Sequence, residues 1–210
     1  MAGRNAPGPV LGARVAGVID GGVRVATIVS KEQYFEAALS VLADGGFKSL
    51  NIGVMCRRLG VTSGSFYNYF GNWEGFVRAL LEYWEGRQNE VLRGTEFGSG
   101  DAHADLEMLR DITAGLDHAA EAAIRAWSMN DELVRTMLTR VDENRYKTTR
   151  RTIQGIVDDE STATALADLG TAMLFGYQQM VSSGRKVDRT RMFDDFVRFV
   201  MMSSMFGRSS

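Results

Sequence analysis

The chain has 210 residues with a formal net charge of −2, so binding to nucleic acid through bulk positive charge is excluded and any such contact must rest on local charge. Apolar residues make up 45% and charged residues 24%, values ordinary for a folded soluble domain. A single cysteine, Cys56, rules out an intrachain disulfide, and no apolar run is long enough to cross a bilayer.

Both prolines, Pro7 and Pro9, lie at the start, and the rest of the chain is free of this helix breaker. The expected fold is all-α, with about nine helices. Residues 1–29 are rich in glycine and carry Arg4, Arg14 and Arg24, and they read as a mobile, mildly basic arm or an overlong start. The apolar run in this arm is broken by Asp20, Gly21, Gly22 and Arg24, unlike a signal peptide, which implies an unexported, cytoplasmic protein.

A first helix is expected from Lys31 to Asp44, capped by Ser30, with Phe35, Ala38, Leu39 and Leu42 on one stripe and Gly45-Gly46 as its stop. A second starts at the cap Asn51, buries Ile52, Met55, Cys56 and Leu59, and ends at Gly60. Thr62 caps a short third helix, Ser63 to Phe70, and Val61 and Phe66 flank that cap as a hydrophobic staple. Asn72 caps a fourth helix that buries Phe76, Val77, Leu80, Leu81 and Trp84.

Beyond a Gly/Ser-rich loop at 94–100, the stripes Leu106 to Leu116 and Ala120 to Trp127 predict two more helices. Asn130-Asp131-Glu132 starts another, Ser161 to Ser183 forms a long one ended by Gly184, and Asp188 caps the last. His103 and His118 have no partners at metal-ligand spacing, so no metal and no cofactor are expected. Asp117 and His118 are neighbours that face apart on a helix and make no catalytic pair.

The informative stretch is Ser49 to Trp73. Two short helices joined by Gly60-Val61-Thr62 have the spacing of a helix-turn-helix, and the second is polar on one side. That side carries Ser63, Ser65, Tyr67, Asn68 and Tyr69, side chains suited to phosphates and base edges.

The run Gly46-Phe47, Ile52, Met55-Cys56, Leu59-Gly60-Val61-Thr62, Gly64, Phe66-Tyr67, Tyr69-Phe70, Asn72, Glu74, Phe76 resembles the TetR-family DNA-binding domain. Arg125, Trp127, Asp131, Val141-Asp142 and Arg145 are similar to the second domain of many members. The resemblance implies an arm (1–29), a DNA-binding domain (30–76) and an effector-binding and dimerisation domain (77–210). It places Asn51, Thr62, Ser63, Ser65, Tyr67, Asn68, Tyr69 and Trp73 at the DNA. Ser63 and Trp73 stand where the family often has lysine, and Tyr69 where histidine is common. Between residues 31 and 75, four basic side chains (Lys31, Lys48, Arg57, Arg58) meet four acidic ones (Glu32, Glu36, Asp44, Glu74), net zero.

The resemblance further implies a homodimer, a double-stranded operator, no membrane, and a small apolar effector that releases the DNA, repression being the common outcome. The candidate effector contacts are Trp84, Met108, Leu116, Trp127, Met137, Val141, Met173 and Tyr177. Core packing explains any one of them, but together they suit a flexible apolar pocket. The last two helices are too apolar to face water, and Leu166, Met173, Leu174, Phe193, Phe196 and Val200 are the candidate dimer contacts. Two other readings stay open. One is an enzyme, for which no nucleophile–base pair or phosphate loop appears. The other is a helical ligand-binding or dimerisation protein with weak or lost DNA binding, which the net-zero charge of residues 31–75 favours.

Overall fold

Local caps set the frame in the computed structural model, which describes residues 29–94 and 100–206. Residues 1–28 of the expected arm and 95–99 of the expected loop lie outside the described residues. Nine α-helices occur among the described residues: α1 (Lys31–Gly45), α2 (Ile52–Leu59), α3 (Ser63–Phe70), α4 (Trp73–Gly94), α5 (Ala102–Ala114), α6 (His118–Ser128), α7 (Glu132–Gln154), α8 (Glu160–Ser182) and α9 (Arg189–Phe206). One 3-10 turn, Phe47–Ser49, joins α1 to α2.

Ser30 and Gln33 form a reciprocal capping box: the Gln33 N–H donates to Ser30 Oγ (3.3 Å) and the Ser30 N–H to Gln33 Oε1 (2.8 Å). Gly46 ends α1 with φ of 70°, a backbone region that a side chain disfavours. Downstream, aspartates at 101, 117, 131 and 159 cap α5 to α8, each placing a carboxylate on free N–H groups where the helix dipole also favours it.

Several boundaries differ from the sequence expectation, α1 ending at Gly45 and α8 at Ser182. Helix α8 begins at Glu160, because Asp159 Oδ2 accepts from the Thr162 N–H (2.7 Å) and from both neighbouring hydroxyls. Helix α5 stops at Ala114, which leaves Leu116 in the connection to α6.

The largest apolar cluster does not stop at the fourth helix. It runs from Tyr34, Phe35 and Leu42 of α1 through Met55, Phe66 and Phe70 into Phe76, Leu80 and Trp84 of α4, then on to Ile124, Trp127, Val134, Met137 and Val141. Helix α6 packs against α1 on one side and against α7 and α8 on the other. The N-terminal helices thus share one core with the body that follows. A second cluster gathers Leu106, Ile153, Leu166, Val197 and Val200, and a third Leu174, Tyr177 and Phe193.

Candidate nucleic-acid interface and inner cavity

Helices α2 and α3 are joined by a turn in which Gly60 takes the left-handed conformation (φ 66°). Thr62 Oγ1 accepts from the Ser65 N–H (3.2 Å), starting α3 within two residues of that turn. Phe66 and Phe70 anchor α3: both are buried, and they pack on Tyr34, Phe35 and Phe76 at ring-centroid distances of 5.0–6.0 Å. With that face held, Ser63, Gly64, Tyr67 and Asn68 are left exposed on the other side.

The eight candidate DNA contacts divide accordingly. Asn51, Thr62, Ser63, Tyr67 and Asn68 are exposed, with Asn51 Oδ1 and Thr62 Oγ1 also serving as caps. Ser65 is buried, its hydroxyl 3.2 Å from that of Thr62. Tyr69 is half-buried and donates its hydroxyl to the Val29 carbonyl (2.8 Å). Trp73 is half-buried and stacks on Phe66 (6.4 Å). The helical period explains the split within α3, since residues 65, 66, 69 and 70 follow one face and 63, 64, 67 and 68 the other, while Trp73 belongs to α4, beyond the break at Gly71. Of the basic residues here, Lys31, Lys48 and Arg57 are exposed, while Arg58 is tied to Asp44 (3.3 Å) and to the Ser40 hydroxyl (2.5 Å).

In the second half, a cavity of about 70 Å³ opens between α4, α5, α7, α8 and α9. Leu109, Leu116, Met173, Phe193 and Phe196 line its apolar part, and Gln88, Asp142 and Arg145 its polar end. Its volume falls short of the roughly 300–1,000 Å³ of sites that enclose drug-sized molecules. Gly170 helps form the wall, because a Cβ there would sit 2.7 Å from the Phe196 ring.

Only Leu116 and Met173 of the eight candidate effector contacts line this cavity. Trp84, Trp127, Met137 and Val141 are instead buried in the main core, with Trp127 stacked on Phe47 at 6.3 Å. Met108 is at the surface, and Tyr177 packs edge-on against His118 (4.7 Å) in the adjoining cluster. An apolar stripe identifies most of these side chains, Met108 excepted, as at least partly buried and leaves their neighbours open.

The polar end continues into a network that sequence reading missed in half of its members. Arg145 donates to both oxygens of Glu121 (2.9 and 2.5 Å) and to Gln88 Oε1 (2.8 Å). Gln178 Nε2 donates to Glu121 (2.6 Å), Arg125 donates to Gln178 Oε1 (3.1 Å), and Arg125 grips Asp142 bidentately (2.8 and 3.1 Å). The Arg125 guanidinium also lies over the Phe175 ring at 3.8 Å. One network therefore ties α4, α6, α7 and α8. The resemblance covers Arg125, Asp142 and Arg145, whereas Glu121, on α6 with Arg125, and Gln88 and Gln178, on α4 and α8, carry no local signal.

Next to this network His118 is buried, and neither ring nitrogen has a hydrogen-bond partner in the structure. Burial pushes its pKa below the ordinary value, against a smaller opposing pull from Glu121.

The candidate dimer contacts are mostly occupied within the chain. Leu166 and Val200 are buried in the second cluster, Leu174 and Phe193 in the third, and Phe196 and Met173 border the cavity. The exposed apolar side chains of α8 and α9 are others, namely Leu169, Phe199, Met202 and Met205.

Among the described residues no group of three or more His, Cys, Asp or Glu side chains could hold a metal ion, and no helix is long and apolar enough to cross a membrane.

Residues 35–80 match the family of bacterial regulatory proteins described as the tetR family. Among solved structures, the chain is similar to a TetR-family transcriptional regulator from a Rhodococcus species (17% identity, TM-score 0.63), covering 85% of this chain and 98% of that one. It is also similar to a transcriptional regulator from Saccharomonospora viridis solved with choline (18%, TM-score 0.69, covering 81% and 94%). A third is the fatty acid degradation regulator of Bacillus halodurans (17%, TM-score 0.64, covering 81% and 94%). No curated protein sequence matches the chain.

Proposed function

We propose that this chain, a TetR-family transcription regulator by its N-terminal domain and its fold, is a dimeric repressor released from its operator by a small, mainly apolar effector. The observation that carries the reading is α3: a helix pinned by Phe66 and Phe70 whose opposite face presents Ser63, Gly64, Tyr67 and Asn68 to solvent. A helix held in this way suits the major groove, and two of them on a two-fold axis would meet successive grooves about 34–36 Å apart.

The exposed set Leu169, Phe199, Met202 and Met205 supports dimerisation through α8 and α9, since burying it against a second copy removes apolar surface from water. The apolar lining of the cavity supports an effector of the same character. Its small volume implies that the effector opens it. Helix α4 offers the route for that change. Phe76 and Leu80 sit in the core that holds α3, while Gln88, Val91 and Leu92 border the cavity. Displacing the C-terminal half of α4 would tilt its N-terminal half and alter the spacing of the two α3 helices.

A second reading, a ligand-binding dimer that no longer engages DNA, draws on the net-zero charge of residues 31–75. Fluorescence anisotropy on DNA flanking the protein's own gene and on random duplexes, across a salt series, separates the two. Binding that beats random DNA and weakens as salt rises supports the regulator. Equal, weak binding to every duplex, including pools of random sequence, would sink it and leave the second reading.

A further inference from the structure

The exposed face of α3 carries no charged side chain. From Ser63 to Phe70 the sequence holds no Lys, Arg, His, Asp or Glu, and the four exposed residues are a serine, a glycine, a tyrosine and an asparagine. Guanine offers two acceptors, N7 and O6, in the major groove, and the side chains that pair with both are arginine and lysine. Neither is present on this helix. Asn68 does not replace them, because its carboxamide brings one acceptor oxygen along with its donor, and that oxygen would face a guanine acceptor. Adenine instead offers an acceptor (N7) beside a donor (the 6-amino group), which the carboxamide matches atom for atom. The Asn68 amide is free for this: it is exposed and makes no hydrogen bond among the described residues.

Tyr67 lies one residue away on the same face. The residue is 48% exposed, and its ring is braced edge-on against the buried Phe66 ring at 5.8 Å. A braced, half-exposed aromatic gives an apolar surface of fixed position, and the apolar group on a major-groove edge is the thymine methyl. Gly64, one turn before Asn68, adds no side chain, and a Cβ there would meet only Thr62 Oγ1 at 3.7 Å, so the helix can come close to the base edges.

We infer that the major-groove readout by α3 is selective for A·T pairs, with Asn68 recognising adenine and Tyr67 the methyl of a thymine in each half-site. This rests on the regulator reading above and adds the chemistry of the DNA it takes.

The test is selection of bound duplexes from a random pool with the full-length protein, repeated with Asn68→Ala. The expected result is a symmetric site in which each half contains an A·T pair that Asn68→Ala no longer requires. Changing that pair to G·C should weaken the parent about 5- to 150-fold per half-site and leave Asn68→Ala nearly indifferent. Replacing the contacted thymine by uracil removes only the methyl, and should weaken the parent about fourfold without affecting Tyr67→Ala. Both positions are exposed, so unchanged melting of each variant verifies that folding is intact.

A selected site whose Asn68-dependent pair is G·C overturns the inference and leaves the regulator reading standing, as does a profile that Asn68→Ala does not alter. Uracil that binds as well as thymine removes the role given to Tyr67. A pool in which nothing is enriched overturns the regulator reading and the inference with it.

Discussion

Arg145 closes a bidentate ion pair with Glu121, Nη2 at 2.5 Å and Nη1 at 2.9 Å from its two oxygens, and the same arginine borders the inner cavity. Glu121 is almost fully buried, its side chain 2% exposed and that of Arg145 13%. Removing one partner of such a pair strands a charge in a poorly solvated site. Arg145→Met should cost about 3–5 kcal/mol of stability. At roughly 2–4 °C per kcal/mol for a chain of this size, the melting temperature falls by at least about 6 °C. The double variant Arg145→Met/Glu121→Met should regain part of the loss. Arg145→Met melting like the parent would mean that the pair contributes nothing to the fold.

His118 makes stability depend on pH. Burial is the main cause of its lowered pKa, with Glu121 and Asp117 pulling upward and Arg189 and Arg145 downward. The unfolded chain, at the ordinary value of 6.5, therefore takes up the proton more readily than the folded one. The stability this histidine contributes is complete above pH 6.5 and is lost as pH falls from there through the depressed folded value. His118→Phe suits the slot between Tyr177 and Phe193 and cannot titrate. Denaturant midpoints at pH 7.5 and 5.5 should differ less for the variant than for the parent, and equal drops would rule His118 out as the source.

Two glycines of α4 should respond oppositely to alanine. A Cβ on Gly75 would overlap the Phe70 carbonyl oxygen, a backbone atom that moves only if the α3–α4 turn moves. Gly75→Ala should weaken the proposed operator binding at least about tenfold, by the geometric sensitivity of a docked helix, while leaving the proposed dimer intact. A Cβ on Gly86 meets nothing within 4 Å. Gly86→Ala should leave DNA binding unchanged and raise stability by about 0.4–1 kcal/mol. Anisotropy and thermal melts on the pair check both, and equal DNA affinity in the two variants would refute the Gly75 argument.

Phe199 and Met202 belong to the exposed apolar face of α9. Phe199→Glu/Met202→Glu should convert the proposed dimer to a folded monomer in sedimentation, with helical content retained, and lower affinity for the proposed operator by losing the second half-site. A Leu166→Glu variant, placing a carboxylate at a buried position of the second cluster, should unfold the chain instead. A dimer surviving the double exchange would place the interface elsewhere.

Much of the N-terminal half is legible in the residues alone, because its signals are local. Ser30, Asn51, Thr62 and Asn72 act on N–H groups three residues ahead, and Gly46 and Gly60 occupy backbone conformations that favour glycine. Such contacts span a single helical turn, so the order of residues by itself determined the helix-turn-helix and its boundaries.

The second half was decided by tertiary packing. A 3.6-residue stripe says that Trp84, Met137, Leu166 and Val200 are buried, without saying whether a ligand, a second copy or the same chain covers them, and here the same chain does. Glu121 carries no local signal of burial, yet it is buried because Arg145, 24 positions away, and Gln178, 57 positions away, converge on it. Which apolar residues remain free, and where a cavity opens, depend on how helix surfaces of fixed shape interlock, a property of several segments together that no single segment carries.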